Sequence, residues 1–551
     1  MKILLVGINS KFIHPNLAIR YLKANCDYDT DIIEFTIKDK LDQIINNMKI
    51  DQYDIIGFSC YIWNIEIIIE LLIHIKGNYQ NKTIILGGPE ISYEYDSYLT
   101  NELAHFILTG ESEVSFNLLI NAIHKKSDFD SVPNLAYIYK DEIIKTESDQ
   151  IEDLNSLKSP YYFEDDYKDI KNKIQYVELS RGCPYKCSYC LASLEKGLRF
   201  FNMEKVFSDI DHLICKGART IKFLDRSFNA NKSIALRFFE KLISKDYPKT
   251  VFQFEINGDV LHKDIIDYLK DNLKPNYIRF ELGIQSTNPI VNRAIDRKQN
   301  TEKLIANIKS LQETNVILHL DLIAGLPYED LESFKNTFNE IFLLFPLELQ
   351  LGFLKMLKGT KIRRESDLYK YKFDDGSPYE IIENMFITKE ELKIIHKVET
   401  ILEIYWNKSF MNNTIKSIIS KGFKPFDFFL KFYNYHEGKN IPLTKYQLSD
   451  LFVNLKNYLI EDNIYNHEID DCLKLDYLLY NNIKPKIYWD NQVNKQEVLR
   501  EFFFYNQKYP IDLLYKYALV SHYKSGYIVV IYLEKEKSIY YFSDKQTKRI
   551  S

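Results

Sequence analysis

The sequence predicts an α/β protein in three parts: a doubly wound domain, a partial barrel of six parallel strands, and a mainly helical remainder. Three observations carry this. Short apolar runs alternate with helical patterns from the first residues to about position 354, as in parallel sheets with crossover helices. Beyond Lys358-Gly359-Thr360 that alternation stops, and helical, aromatic-rich stretches take over. A chain of 551 residues is also too long for one core and should divide into about three domains, each able to bury a core because 46% of the residues are apolar.

In the first part, residues 3–6, 55–58, 84–86 and 106–108 read as buried strands and 31–36 as an edge strand, with helical spacing over 17–24 and 65–75. Sheets of this kind bind ligands beyond the carboxyl ends of their strands. Those ends carry the loops 9–16, 59–64 with Ser59, 87–90 with Gly87 and Gly88, and 109–113 with Glu111 and Glu113. Glycine there permits close backbone approach to a bulky ligand, although glycine pairs and serines at strand ends are also ordinary turn chemistry. The shared edge makes the set stronger than any one loop. Residues 136–144 read as a hairpin, and the acidic stretch after it as a linker. The expected division is 1–140, a linker at 141–172, a barrel at 173–360 and a final domain at 361–551.

In the barrel, strands are expected at 174–179, 220–224, 251–256, 277–284, 316–323 and 349–354, separated by helices at 204–216, 233–245, 263–272, 301–314 and 331–342. The active site of a parallel barrel opens at the carboxyl end of its strands. Candidate groups there are Asp225 and Arg226, Glu255, then Glu281, Gly283, Gln285 and Ser286, then Asp321, Gly325 and Pro327. Charges inside parallel strands are costly unless paired or liganded, and Arg279 or Arg297 is the expected partner for Glu281. In the last domain, helices are expected at 390–405, 414–421 and 445–459 and a hairpin at 527–532 with 538–542. Its dense aromatics read as core.

One segment carries chemistry in its spacing: Arg181-Gly182-Cys183-Pro184-Tyr185-Lys186-Cys187-Ser188-Tyr189-Cys190, a Cys-x3-Cys-x2-Cys array after the first barrel strand. Three thiolates in so short a loop can ligate one metal centre and leave a coordination position open. Structural zinc is the rival, but it closes four ligands, usually as two pairs, and Cys26, Cys60, Cys215 and Cys472 form no second pair. His212 and Cys215 fall on the predicted helix that follows the loop. A chance cluster of buried thiols is a second rival. Disulfides fit worse, since three thiols cannot pair evenly and no secretory leader pattern opens the chain.

Together with the strand-like run Gln175-Tyr176-Val177-Glu178-Leu179-Ser180, these residues resemble the radical S-adenosylmethionine superfamily. The resemblance implies that Cys183, Cys187 and Cys190 hold a 4Fe-4S cluster whose open iron is chelated by S-adenosyl-L-methionine, and that Tyr189 lies beside the adenine. The reduced cluster would then cleave the sulfonium to a 5′-deoxyadenosyl radical, the protein positioning the cofactors and excluding side reactions. It implies further that Asp225, Gln285 and Ser286 line the cosubstrate or substrate cavity and that Gly325-Leu326-Pro327 supports the adenosyl group. An external one-electron reductant of flavodoxin or ferredoxin type is the implied partner.

The first domain is similar to the Rossmann-like cobalamin-binding domain found ahead of such barrels. Ser59 stands where that family has a serine near the nucleotide tail, and Gly87-Gly88 matches its double glycine. The Asp-x-His-x-x-Gly motif that supplies a cobalt ligand in some cobalamin proteins is absent, because Phe12 and Leu17 flank His14 in its place. Both a cobalt with no protein ligand and ligation by His14 stay open. The last domain resembles the uncharacterised C-terminal region of one group of these proteins. Methyl transfer to an unactivated carbon is the commonest chemistry this pairing implies. The rivals are a non-methylating radical enzyme that rearranges or cyclises its substrate, and an iron-sulfur electron-transfer or sensor protein.

A formal net charge of −5 with no basic tail or stripe argues against nucleic acid as the main partner. The longest apolar stretches, 65–73 and 341–345, stop well short of the roughly 20 residues a membrane helix needs. A cytoplasmic protein acting on an unknown substrate is the expectation.

Overall fold

The computed structural model describes residues 1–485, 493–533 and 536–550. The chain forms two compact units, residues 1–334 with 351–392, and residues 335–350 with 393–551.

The first unit opens with a seven-stranded sheet: β1 (Ile3–Asn9), β2 (Thr30–Thr36), β3 (Ile55–Ser59), β4 (Thr83–Gly87), β5 (Phe106–Leu108), β6 (Leu135–Tyr139) and β7 (Glu142–Lys145), in the order β2-β1-β3-β4-β5-β6-β7. The first five are parallel. β1 is buried at every position, as a central parallel strand covered on both faces should be, while the edge strand β2 is mostly half-buried. One face packs on the helices Leu41–Met48 and Ile65–Asn78, the other on Leu17–Asn25 and Glu113–Lys125. The hairpin expected at 136–144 is no detached connector. β6 pairs antiparallel with β5 and extends the sheet, a long-range pairing that local pattern cannot announce.

The second sheet contains β8 (Ile174–Val177), then the short hairpin strands β9 (Ser180–Arg181) and β10 (Arg199–Phe200) outside it, then β11 (Thr220–Phe223), β12 (Val251–Glu255), β13 (Ile278–Gln285), β14 (Ile317–Ala324) and β15 (Glu348–Phe353). Its order is β15-β14-β13-β12-β11-β8, the arrangement of a partial parallel barrel. Side chains alternate with period two. Ile221, Phe223, Phe252, Phe254, Ile278, Phe280, Leu282 and Ile284 are buried, and Phe207, Phe238 and Phe239 of the covering helices interleave with them. Ring pairs such as Phe223–Phe254 at 4.7 Å and Phe207–Phe238 at 4.7 Å fill this layer.

The intervening residues Lys222, Gln253, Glu255, Arg279, Glu281 and Gln285 occupy the other face and are half-buried. Glu281 pairs with neither Arg279 nor Arg297. Its Oε2 lies 2.6 Å from Lys222 Nζ, two strands away, a partner from a distant segment that spacing along β13 does not reveal. Arg279 instead meets His319 at 3.1 Å, and His319 lies 3.0 Å from Asp321. The open edge of the barrel at β8 is covered by the loop after β1, where Ile174 N–H donates to Ile13 O at 2.9 Å.

After β15 the chain turns through β16 (Lys372–Phe373) and β17 (Ile381–Glu383) within the first unit. The second unit is helical, with Asn412–Ile419, Pro425–Gly438, Leu448–Glu461, His467–Tyr480 and Lys495–Tyr505 among its helices. It ends in an antiparallel meander, β18 (Ala518–Tyr523), β19 (Gly526–Leu533), β20 (Glu536–Ser543) and β21 (Gln546–Arg549), four strands where the pattern suggested two. Its aromatics are core: Trp406 is fully buried, packs on Phe342 at 4.7 Å and donates its indole N–H to Pro346 O at 3.0 Å.

Phe254→Ala removes a ring from the middle of the barrel's aromatic layer and leaves a cavity that rigid neighbours cannot close. The expected loss of stability is about 3–5 kcal/mol, read as an earlier urea midpoint with an unchanged slope.

Candidate active site

The three motif cysteines sit in the loop of a hairpin. β9 and β10 pair antiparallel, Arg181 opposite Arg199 and Ser180 opposite Phe200, and residues 182–198 form the loop between them. Gly182 closes its neck with φ +92, and a Cβ there would stand 2.0 Å from Gly197 O, so no other residue fits. Inside the loop, Cys190 N–H donates to Cys187 O at 3.1 Å, and the Lys186 ammonium reaches Ser193 O and Glu195 O, both at 2.8 Å. The barrel end holds it from outside, with Ser188 N–H donating to Ile295 O at 2.9 Å and Ile362 N–H to Ser188 O at 3.0 Å.

Cys183 and Cys187 are buried and Cys190 is half-buried, all as free thiols. Burial pushes the Cys183 and Cys190 thiols up, and the neighbouring thiols add to the shift, so the three sulfurs share one electrostatic neighbourhood. Among the described residues, no three His, Cys, Asp or Glu side chains converge on a point as a single metal ion demands.

Two cations stand beside this loop: Arg226, a candidate from its place at a strand end, and Arg297, expected only as a partner of Glu281. The Arg297 guanidinium lies 3.9 Å from Cys187 Sγ, donates to Gly283 O, and is oriented by Gln299 at 2.9 Å. Arg226, at the end of β11, is enclosed by the cysteine loop and Glu255 yet keeps 55% of its side chain accessible, with Glu255 Oε1 at 3.9 Å. Glu255 is 30% accessible, and its carboxyl is pushed up by burial. Arg297 meets a loop more than a hundred residues earlier in the chain, so no local pattern links it to Cys187.

The residues singled out by sequence fall into distinct settings. Tyr189 is half-buried on the loop, and burial raises its phenol. Gln285 ends β13 at a bulge, with φ +67 and a side chain folded back over Gly283. Its Oε1 is buried with no hydrogen-bond partner among the described residues, an open acceptor near the loop. Asp225 faces inward: its carboxylate accepts from Leu179 N–H at 2.9 Å and Ser180 Oγ at 2.5 Å and staples the lead-in of the hairpin to β11. Burial pushes that carboxyl up to about 7. Ser286 is fully buried, and its hydroxyl donates to Glu329 Oε1 at 2.6 Å. Gly325 has φ +89, Ile381 fills the space of a Cβ, and its carbonyl accepts from Tyr371 at 3.0 Å and Asn384 at 3.1 Å.

At the carboxyl edge of the first sheet, Ser59 is buried and its hydroxyl accepts from Asn16 Nδ2 at 2.6 Å. Gly88 has φ +116, and a Cβ there would strike Cys60 O at 2.5 Å, so the backbone of its own sheet already requires that glycine. At Gly87 a Cβ would meet nothing closer than 3.7 Å. Tyr61 and Trp63 stack at 4.4 Å with planes 7° apart, Trp63 is 43% exposed, and its indole N–H donates to Ile8 O. His14 Nδ1 lies 2.6 Å from the Tyr176 hydroxyl of the barrel, and burial lowers its pKa.

Comparison with known proteins matches three family models to successive segments of the chain. The family described as B12 binding domain matches residues 3–120, the Radical SAM superfamily matches 177–341, and a protein of unknown function (DUF4080) matches 367–528. The chain is 25% identical over 269 residues to an anaerobic magnesium-protoporphyrin IX monomethyl ester cyclase from a Synechocystis species, covering 46% of this chain and 51% of that one. It is 26% identical over 308 residues to the cobalamin-dependent radical SAM methyltransferase TokK from Streptomyces tokunonensis, covering 51% and 44%. The chain thus spans about half the length of the curated relatives it matches. In fold it is similar to the radical S-adenosylmethionine methyltransferase TsrM from Kitasatospora setae, solved with cobalamin and a [4Fe-4S] cluster, with a TM-score of 0.58 at 14% identity over 69% of this chain and 82% of that one. Among the described residues no helix is long and apolar enough to cross a membrane.

Glu329 offers a pH test of the strand-end packing. Burial pushes its carboxyl up to about 8 from 4.5, and its Oε2 has no hydrogen-bond partner among the described residues. Its stabilising contribution is therefore full below about 4.5 and is lost as pH rises toward about 8, because the unfolded chain releases the proton first. Glu329→Gln keeps the neutral shape. Urea unfolding across that window should show a flatter decline of stability in the variant than in the wild type.

Proposed function

We propose, from the match of residues 177–341 to the Radical SAM superfamily, with a B12 binding domain match before it and a match to a domain of unknown function after it, that the chain is a cobalamin-dependent radical S-adenosylmethionine methyltransferase acting on an unactivated carbon. The observation that carries the reading is the placement of the cysteine loop. It lies at the carboxyl end of the barrel strands, and the sheet that precedes the barrel is bonded to that same loop and barrel. When bound, a 4Fe-4S cluster with S-adenosyl-L-methionine supplies a 5′-deoxyadenosyl radical and cobalamin supplies a transferable methyl group.

Cys183, Cys187 and Cys190 would hold the cluster. Arg297 places positive charge and an N–H beside one thiolate, which offsets the negative charge that three thiolates bring into a buried loop. Tyr189 and the open acceptor of Gln285 suit the adenine and ribose of the cosubstrate. Asp225, Ser286 and Gly325 act one step back, holding the backbone that carries these groups, since protein partners already occupy their polar atoms. Arg226 and Glu255 offer an accessible cation and carboxyl to a polar substrate.

Residues 1–140 would take the cobalamin, and residues 173–360 would carry out the radical chemistry. Ser59 and Gly87-Gly88 lie at the carboxyl ends of β3 and β4, an edge where such sheets bind ligands. The engagement of Ser59 with Asn16 and of Gly88 with Cys60 gives both a part in shaping the loops. With His14 held by Tyr176, cobalamin binding without a histidine on cobalt is the better supported arrangement. Similarity to a cyclase as well as to methyltransferases keeps a non-methylating radical reaction as the second reading. An external one-electron reductant is part of either.

Cys183→Ala, Cys187→Ala and Cys190→Ala are each expected to lower bound iron after anaerobic reconstitution and to abolish 5′-deoxyadenosine formation from S-adenosyl-L-methionine under strong reductant. Full activity in any one of them contradicts the assignment. Isotope-labelled methyl donor in cell extract, followed by mass spectrometry, separates the two reactions: label retained in a product favours methyl transfer.

A further inference from the structure

The loop after β5, Thr109-Gly110-Glu111-Ser112-Glu113, lies at the carboxyl edge of the first sheet, where a ligand-binding loop belongs. Its two carboxylates turn instead toward the neck of the cysteine hairpin. Glu111 holds Arg199 of β10 in a fork, Oε1 at 2.6 Å from Nη2 and Oε2 at 2.9 Å from Nη1. Glu113 lies 2.8 Å from Arg181 Nη2 of β9, which also meets Glu178 at 2.9 Å and has its guanidinium over the rings of Tyr21 at 5.0 Å and Phe201 at 5.7 Å. Arg181 and Arg199 face each other across the hairpin, so both of its strands are gripped at one level.

The grip is dry and directional. Both arginine side chains are 11% exposed, and Glu113 and Glu111 are 9% and 19% exposed. The preceding linker joins the same bundle: Glu111 Oε2 accepts from Ile151 N–H at 3.1 Å, Arg199 donates to Ile151 O, and Gln150 Nε2 donates to Lys196 O of the cysteine loop at 2.9 Å. Buried ion pairs add little net stability compared with apolar packing, but a planar fork on a carboxylate fixes distance and angle in a way that apolar contacts cannot. One such fork, Glu111 on Arg199, with the single Glu113–Arg181 contact opposite it, therefore specifies where the loop points.

We propose that Glu111 and Glu113 are positioning residues that set the cysteine loop against the carboxyl edge of the first sheet and thereby fix the spacing of the two redox groups. This rests on the functional reading above, in which the loop holds an iron-sulfur cluster and that edge takes cobalamin. The two carboxylates touch neither group. They act through Arg181 and Arg199 on the hairpin, and a change at Glu111 or Glu113 loosens the relation between the two sites without removing a ligand from either.

The test reads that relation directly, through the magnetic interaction of two paramagnets. Wild-type protein reconstituted with iron, sulfide and cobalamin is reduced so that cob(II)alamin and the reduced cluster coexist, and the microwave-power saturation of the cob(II)alamin signal is recorded. The wild-type signal is expected to be harder to saturate than that of the cluster-free Cys187→Ala protein loaded with cobalamin. Glu111→Gln with Glu113→Gln, and separately Arg199→Lys, should lose this enhancement while keeping iron and cobalt content. Glu313→Gln, which removes an exposed pair with Lys270, should not change it. Undiminished enhancement in both neck variants at full iron and cobalt content overturns the proposal, as does a fully loaded wild type with no enhancement. If the double variant does not fold, Arg199→Lys decides alone by the same two outcomes. A wild type that takes up iron but no cobalamin sinks the functional reading and the proposal with it, and that failure shows before any variant is made.

Discussion

The contact between Gly182 and the carbonyl of Gly197 is the constraint on which the rest of the site depends. A hairpin of only two paired residues per strand has almost no ladder to hold it. Its neck closes because the backbone at 182 takes a left-handed turn and presents no side chain to the returning strand. Closure brings the two ends of a seventeen-residue span together and leaves the cysteines in a compact loop at the barrel mouth. The loop then gains its own internal bonds from Lys186 and Cys190 and its external ones from Ser188, but these act on a shape that the neck has already set.

A second constraint is the alternation along the barrel strands. One set of side chains forms a phenylalanine-rich layer under the helices, and the other set is charged and faces the concave side. Some of these charges meet a partner, Lys222 with Glu281 across strands and His319 with Asp321 along β14. Toward the carboxyl end the pairing loosens, and Arg226 and Glu255 stand 3.9 Å apart and accessible.

The first sheet and the barrel depend on each other. An incomplete barrel exposes the edge of β8, and the loop after β1 covers it through Ile13 and places His14 on Tyr176. The same neighbouring relation brings the loop after β5 onto the hairpin neck. Two loops that look alike in sequence, both short, polar and at strand ends, thus serve as an edge cover and as a grip on the cysteine hairpin.

Much of this was legible in the sequence, and what was legible has a common cause. Strand and helix positions in both α/β parts follow from periodicity within ten or fifteen residues, and the cysteine loop follows from the spacing of three like ligands. Information of that kind survives without the fold. The pairing of β6 with β5, the meeting of Glu281 with Lys222 and the turning of Glu111 and Glu113 toward arginines far along the chain join segments whose separation hides the relation. The direction in which Asp225 and Ser286 point was equally hidden, since a carboxylate or hydroxyl at a strand end can face the cavity or the backbone behind it. The sequence by itself determined which chemistry is possible, because thiolate spacing and side-chain period are local. Only the tertiary structure decided which polar groups remain available to a ligand, because that depends on which partners from distant segments have already claimed their hydrogen bonds.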